Sequence, residues 1–93
     1  MLTSAEKKAL RGHAQRLKPR IKIGKQGLTP PVIEEIKEAL TREHLIKIRL
    51  EGDRQAITSL LLEIEEKTPG QQIGRIGKTA AFYQAPSEKE KDT

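Results

Sequence analysis

The chain has no cysteine and no tryptophan, and its only aromatic side chains are the adjacent Phe82 and Tyr83. Without thiols there are no disulfides, no thiolate metal centres and no cysteine nucleophile, and an intracellular, cytoplasmic location is expected. Two rings cannot form a platform for successive bases, so RNA binding dominated by stacking is excluded. No apolar run approaches the ~20 residues of a membrane span, and the opening MLTSAEKKALRGHAQRL is too polar for a signal peptide. A soluble, unprocessed chain with no membrane partner is therefore expected. At 93 residues the chain is too short for two independent cores, since a domain of this size buries only somewhat over ~60% of its unfolded surface. That excludes a large enzyme. Apolar residues make up 34% and charged residues 33%, which gives a globular chain with a lean core of Ile, Leu and Ala.

Acidic groups are scarce where basic ones gather. Residues 1–26 hold eight cations, Lys7, Lys8, Arg11, Arg16, Lys18, Arg20, Lys22 and Lys25, against Glu6 alone. The other 67 residues carry ten basic and twelve acidic groups, so the net charge of +5 comes from the first quarter. A clustered positive field attracts polyanions and gains affinity from counterion release, which puts nucleic acid first among candidate partners. A solvated helix face explains the same run on its own, so charge leaves both readings open.

Local signals divide the chain into seven elements. TSAE has the form of a capping box, with Thr3 as N-cap and Glu6 three residues on, and opens a helix that Pro19 closes. Arg20-Ile21-Lys22-Ile23 alternates charged and branched residues, the period of a half-buried strand. Thr29 before Pro30 starts a second helix, with Val32, Ile33, Ile36, Ala39 and Leu40 on one stripe. Leu45 to Leu50 alternates again, and Asp53 caps a third helix that Thr68-Pro69-Gly70 stops. The segment QQIGRIGKTAAFYQ reads as two strands joined by a turn at Gly77 and Lys78. The result is one α/β domain over residues 1–84, in the order α-β-α-β-α-β-β, with a four-stranded mixed sheet packed with helices. The first three strands are expected to pair largely in parallel, with an antiparallel final hairpin. If the apolar sides of the first two strands face the helices, Arg20, Lys22, Lys47 and Arg49 share an open basic face. Residues 85–93 form a polar tail predicted to be disordered.

The segment KPRIKIGKQGLT joins a strand, a Gly-Lys-Gln-Gly loop and a helix N-terminus. Backbone amides and the helix dipole at such a place can hold a phosphate. Lys25 and Gln26 add a charge and an amide at the tip, while Pro30 and Pro31 leave only Gly27, Leu28, Thr29 and Val32 as nearby amide donors. An ordinary turn that uses its glycines for geometry is the other reading of this short pattern. The loop lacks the Lys-Ser/Thr ending of a nucleotide-hydrolysing Walker loop. The second Gly-x-x-Gly, Gly74 to Gly77, fits a hairpin bend from which Lys78 and Thr79 can reach a phosphate. His13 and His44 lack any partner legible in the sequence, and the glutamates of the second and third helices read as solvated faces. No catalytic residue, metal site or cofactor is expected.

Taken together, Leu17-Lys18-Pro19, then Ile21-Lys22-Ile23-Gly24-Lys25-Gln26-Gly27-Leu28-Thr29, the strand Leu45 to Ile48, and Gln72 to Thr79 with Phe82-Tyr83 closely resemble the CRM domain. That family is named for chloroplast RNA splicing and ribosome maturation, and the stand-alone size fits its bacterial YhbY type. The resemblance implies a fold similar to the C-terminal domain of translation initiation factor three and a role in binding RNA. Bacterial members are associated with precursors of the large ribosomal subunit, and the family's Gly-x-x-Gly loop, here Gly24 to Gly27, contacts RNA as the comparable loop of KH domains does. One position departs: Tyr83 is followed by Gln84, where the family usually has Arg.

The expected function is therefore a non-catalytic, monomeric RNA-binding factor acting on ribosomal RNA of large-subunit precursors. Its candidate contacts are Arg11, Lys18, Arg20, Lys22, Gly24, Lys25, Gln26, Gly27, Thr29, Lys78 and Thr79. Two alternatives are an adaptor that docks an acidic protein on the basic quarter, and a small hydrolase using His13 or His44.

Overall fold

Each helix starts at a side chain that satisfies its first amides. A computed structural model describes residues 2–86, with α1 (Ser4–Ala14), β1 (Pro19–Ile23), α2 (Pro30–Glu43), β2 (Leu45–Leu50), α3 (Arg54–Lys67), β3 (Gln71–Ile76) and β4 (Thr79–Tyr83). At α1 the Glu6 amide donates to the Thr3 hydroxyl (3.1 Å) and the Thr3 amide to the Glu6 carboxylate (3.0 Å), a complete capping box. Thr29 and Asp53 accept from the amides of Val32 and Ala56 at 3.4 and 2.8 Å. At the far end of α3, the Thr68 hydroxyl donates to the Ile64 carbonyl (2.7 Å) and accepts from the Gly70 amide (3.2 Å). Gly70 then passes so close to α2 that a Cβ there would lie 2.7 Å from Leu40 Cδ1.

The first helix is shorter than its apolar pattern suggests. It ends at Ala14, and Arg16 and Leu17 donate to the carbonyls of His13 and Ala14 in tight turns at 3.1 and 3.0 Å. Leu17 finds no buried position that would hold another turn and remains 38% exposed.

The strands form one mixed sheet in the order β1-β2-β4-β3. Only β1 and β2 pair in parallel, while β4 runs antiparallel to both β2 and β3. The expected parallel pairing of the first three strands therefore fails at β3, which lies at the far edge. The turn at Gly77 and Lys78 brings β4 back into the gap beside β2, and Gly77 takes the left-handed φ of +59° that such short turns favour. Ala80, Ala81 and Phe82 are all buried, as a central strand covered on both faces requires.

The two faces are covered unequally. On one side Ile21, Ile23, Ile46, Ile48, Leu50 and Phe82 pack against α2 and α3 through Ile36, Leu40, Ile57, Leu61 and Ile64. On the other, Ala14 of α1 meets Ile73 and Ala81, with Leu2, Leu10, Leu45 and Tyr83 around them. Eleven residues give α1 a length of only about 16 Å, and it packs on β2, β3 and β4. The outer part of β1 and β2 on this side is left uncovered, with Lys22 and Arg49 exposed. Of the polar tail expected from residue 85, Ala85 and Pro86 are exposed without regular structure, and 87–93 lie outside the described residues.

Phe82 has no exposed surface, so Phe82→Ala should lower the unfolding free energy by about 3–5 kcal/mol in urea titrations. A loss under about 1 kcal/mol would mean that the core collapses around the gap. The Thr3 amide, and then its hydroxyl, hold the Glu6 carboxyl below the usual carboxylate range. Its support of α1 is therefore complete above the unfolded value, about 4.3, and is lost as pH falls through the depressed folded value. Protection of the Thr3 amide, its exchange rate taken relative to the intrinsic rate at the same pH, should follow that order, and Glu6→Gln should abolish the pH dependence of the protection.

Candidate nucleic-acid interface

The alternation of β1 is interrupted by one extra residue. Pro19 pairs with Lys47, Ile21 with Ile48 and Lys22 with Arg49, so the register shifts at Arg20. Instead of joining the sheet face, Arg20 donates from Nε to Glu43 Oε2 at 2.7 Å, at the end of α2. That hydrogen bond holds its guanidinium even more firmly protonated than usual. Arg20 is therefore removed from the expected open basic face, which consists of Lys22, Lys47 and Arg49. Lys22 and Arg49 are direct partners, on strands about 4.8 Å apart. Like charges so placed repel, and an anion lying across them relieves the repulsion.

Two residues beyond Lys22, the chain enters the glycine loop. The Gly27 amide donates to the Gly24 carbonyl (3.0 Å), closing a tight turn that leaves Gly24, Lys25 and Gln26 exposed. Gly27 itself is half-buried, with a left-handed φ of +71°, and seats the loop over Leu60 of α3. Two of the four expected amide donors are thus already engaged, Gly27 in the turn and Val32 on the Thr29 hydroxyl. Thr29 is half-buried and committed to its helix. At the tip of this loop the side chains of Lys25 and Gln26 stand exposed.

A second loop leaves the sheet at the same end. Ile23 pairs with Leu50, and the Leu50 amide donates to the Lys78 carbonyl at 2.8 Å, so the β3–β4 turn is tied to the end of β2. Lys78 is exposed and Thr79 is paired with Arg49. Lys22, Lys25, Gln26, Arg49 and Lys78 therefore surround one end of the sheet, bordered by Glu51 and Asp53 in the β2–α3 link.

The first helix stands apart from this group. Arg11 lies against β3, donating from Nη1 to the Ile73 carbonyl at 3.3 Å, and Lys18 sits in the link before β1, at the end of that strand away from the glycine loop. Lys47, Arg49 and Lys22 fill the distance between the two groups, so the strand face joins what sequence alone put side by side. On the opposite side of the sheet, α2 and α3 carry Glu34, Glu35, Glu38, Glu43, Glu63, Glu65 and Glu66. Gln84 turns inward, its Oε1 buried without a hydrogen-bond partner. His44 is a hinge between α2 and β2, with φ +64° and Nδ1 3.0 Å from the Gln84 carbonyl oxygen. His13 is exposed on α1.

Residues 2–84 match the CRS1 / YhbY (CRM) domain. The chain belongs to that family. It is 35% identical over 91 residues to an RNA-binding protein of Haemophilus influenzae, a match covering 97% of this chain and 91% of that protein. It is also 36% identical over 83 residues to the CRM-domain containing factor CFM3 of Zea mays, covering 88% of this chain but only 10% of that much longer protein. Its structure superimposes on the solution structure of SAV1595 from Staphylococcus aureus with a TM-score of 0.81, at 27% identity, covering 98% and 96% of the two chains. The CRM match extends over all seven elements.

Both partners of the Arg20–Glu43 pair are nearly half exposed, so Glu43→Gln should change stability by less than about 1 kcal/mol in urea titrations. A larger loss would make the pair a structural tie between β1 and α2.

Proposed function

We propose that this CRM domain binds structured RNA without catalysis, as an accessory factor acting on ribosomal RNA of large-subunit precursors. The observation that carries the reading is the separation of charge across the sheet. Cations of α1, β1, β2 and the β3–β4 turn lie on one side or end, while α2 and α3 on the other carry seven glutamates against Lys37, Arg42, Arg54 and Lys67 and are net acidic. Such a distribution attracts a phosphate backbone more strongly to the cationic side than to the net-acidic helices, which orients the chain as well as binding it. A relative of nearly the same length is named as an RNA-binding protein, which supports RNA as the polyanion.

In the proposed mechanism Lys22 and Arg49 accept one stretch of backbone, and Lys25, Gln26 and Lys78 close on it at the end of the sheet. Phe82 is buried in the core and Tyr83 is half-buried beside α1, so neither ring presents a stacking surface. Affinity then depends on phosphate contacts and RNA shape.

Binding to a structured ribosomal RNA fragment should weaken steeply as salt rises. Lys22→Gln and Arg49→Gln should each reduce the slope of log K against log salt by about 1. Lys25→Glu with Gln26→Glu should abolish binding while the fold, read from circular dichroism, stays intact. Salt-independent affinity would overturn the electrostatic mechanism. Retained binding by the double variant would remove the glycine loop from the interface, and cleavage of labelled RNA would overturn the non-catalytic reading.

A further inference from the structure

Between α1 and the sheet lies a cavity of about 320 Å³ whose lining is unlike the rest of the basic face. Its lining includes Gly74 and Ala81 of the sheet and Ala14 of the helix, small residues of which both alanines are buried. Arg11, Lys47, Thr79 and Gln15 stand around it. Ile76, 75% exposed, adds an apolar flank that no other part of the described chain covers. The phosphate path of Lys47, Arg49 and Lys22 runs directly out of this cavity along the strands.

Arg11 is tethered to the sheet at one point before anything binds. Its Nη1 donates to the Ile73 carbonyl (3.3 Å), and its stem crosses β3 where Gly74 has no side chain. A Cβ at Gly74 would lie 2.8 Å from Arg11 Cδ and 3.0 Å from Cγ. The glycine thus permits the close passage that directs the arginine toward the Ile73 carbonyl, and a group already so directed loses less entropy when a ligand stacks on it.

We infer that this cavity receives one unpaired base of the bound RNA, stacked on the Arg11 guanidinium, while Lys47 holds the adjoining phosphate. The inference rests on the RNA reading and deepens it. Guanidinium planes are among the surfaces on which splayed-out RNA bases stack, and only unpaired nucleotides can present a base in this way. The volume lies at the lower end of small-ligand pockets, about 300–1,000 Å³, which suits a single base and not a peptide helix. The small side chains of glycine and alanine in the lining leave room for a base, and the neighbouring cations match the phosphates on either side of it. The cavity supplies the stacking surface that the buried Phe82 withholds.

The test compares two ligands of equal length and phosphate count, a single-stranded oligoadenylate and the corresponding abasic ribose-phosphate oligomer. Unsubstituted protein should bind the abasic oligomer about tenfold more weakly, within the range of one stacked base. Arg11→Lys keeps the charge at an exposed helix position but removes the plane. It should cost about tenfold on oligoadenylate, nothing on the abasic oligomer, and leave the salt slope unchanged. Gly74→Ala, checked for folding by its amide spectrum, should behave as Arg11→Lys does. Equal affinity for the two oligomers, or an equal loss on both in Arg11→Lys, overturns the base pocket and leaves the RNA reading standing. Failure of the unsubstituted protein to bind either oligomer or structured RNA overturns both.

Discussion

A four-stranded sheet must cover its apolar side chains, and here the cover is complete on one face and partial on the other. Two fourteen-residue helices shield the first face, whereas eleven residues of α1 are all that lie on the second. Strand composition follows this division. β4 and β2 bury side chains toward α2 and α3 at Ile46, Ile48, Leu50 and Phe82. Toward α1, β2 changes from apolar Leu45, under the helix, through half-buried Lys47 at the edge of its cover to exposed Arg49, beyond its reach. The cationic strip is therefore a consequence of where α1 stops.

The same constraint decides what the ends of the sheet can do. Because β1 and β2 are parallel neighbours and the β3–β4 turn is tied to Leu50, three connections emerge at one end with Lys25 and Lys78 exposed upon them. Leu28, just after the first of these, packs against the core beside Leu60 of α3, so the loop tip projects from a packed base. Phe82 is committed to the core, where it has no exposed surface, and Tyr83 is half-buried beside α1. The polar groups left exposed on this side are cations, backbone turns and the rim of the small-residue hollow beside Arg11.

Most helix boundaries were legible because their causes are local. Thr3 with Glu6, Thr29 before Pro30, and Asp53 before α3 each cap the helix that follows within three residues. The Gly77–Lys78 turn was legible for the same reason, and Leu17-Lys18-Pro19 with IGKQGLT carried the resemblance to the CRM family. What stayed hidden depends on contacts between distant segments. The order of β3 and β4 is set by which gap the hairpin fills, and nothing in QQIGRIGKTAAFYQ encodes that choice locally. Arg20 looked like one more sheet-face cation, yet a register shift and Glu43, 23 residues away, turn it aside. The contact of Arg11 with the backbone at Ile73 spans 62 residues, so neither residue alone signals the hollow between them.

The central claim is that polyanion binding belongs to the partly covered side and the loop end of the sheet. Titrating a structured ribosomal RNA fragment into ¹⁵N-labelled protein and following every assigned amide tests it most directly. The account predicts shifts at Lys22 to Gly27, Lys47 to Arg49 and Lys78, extending to Arg11, with the exposed faces of α2 and α3 unmoved. Shifts centred on α2 and α3, with those strand and loop amides unchanged, would contradict it.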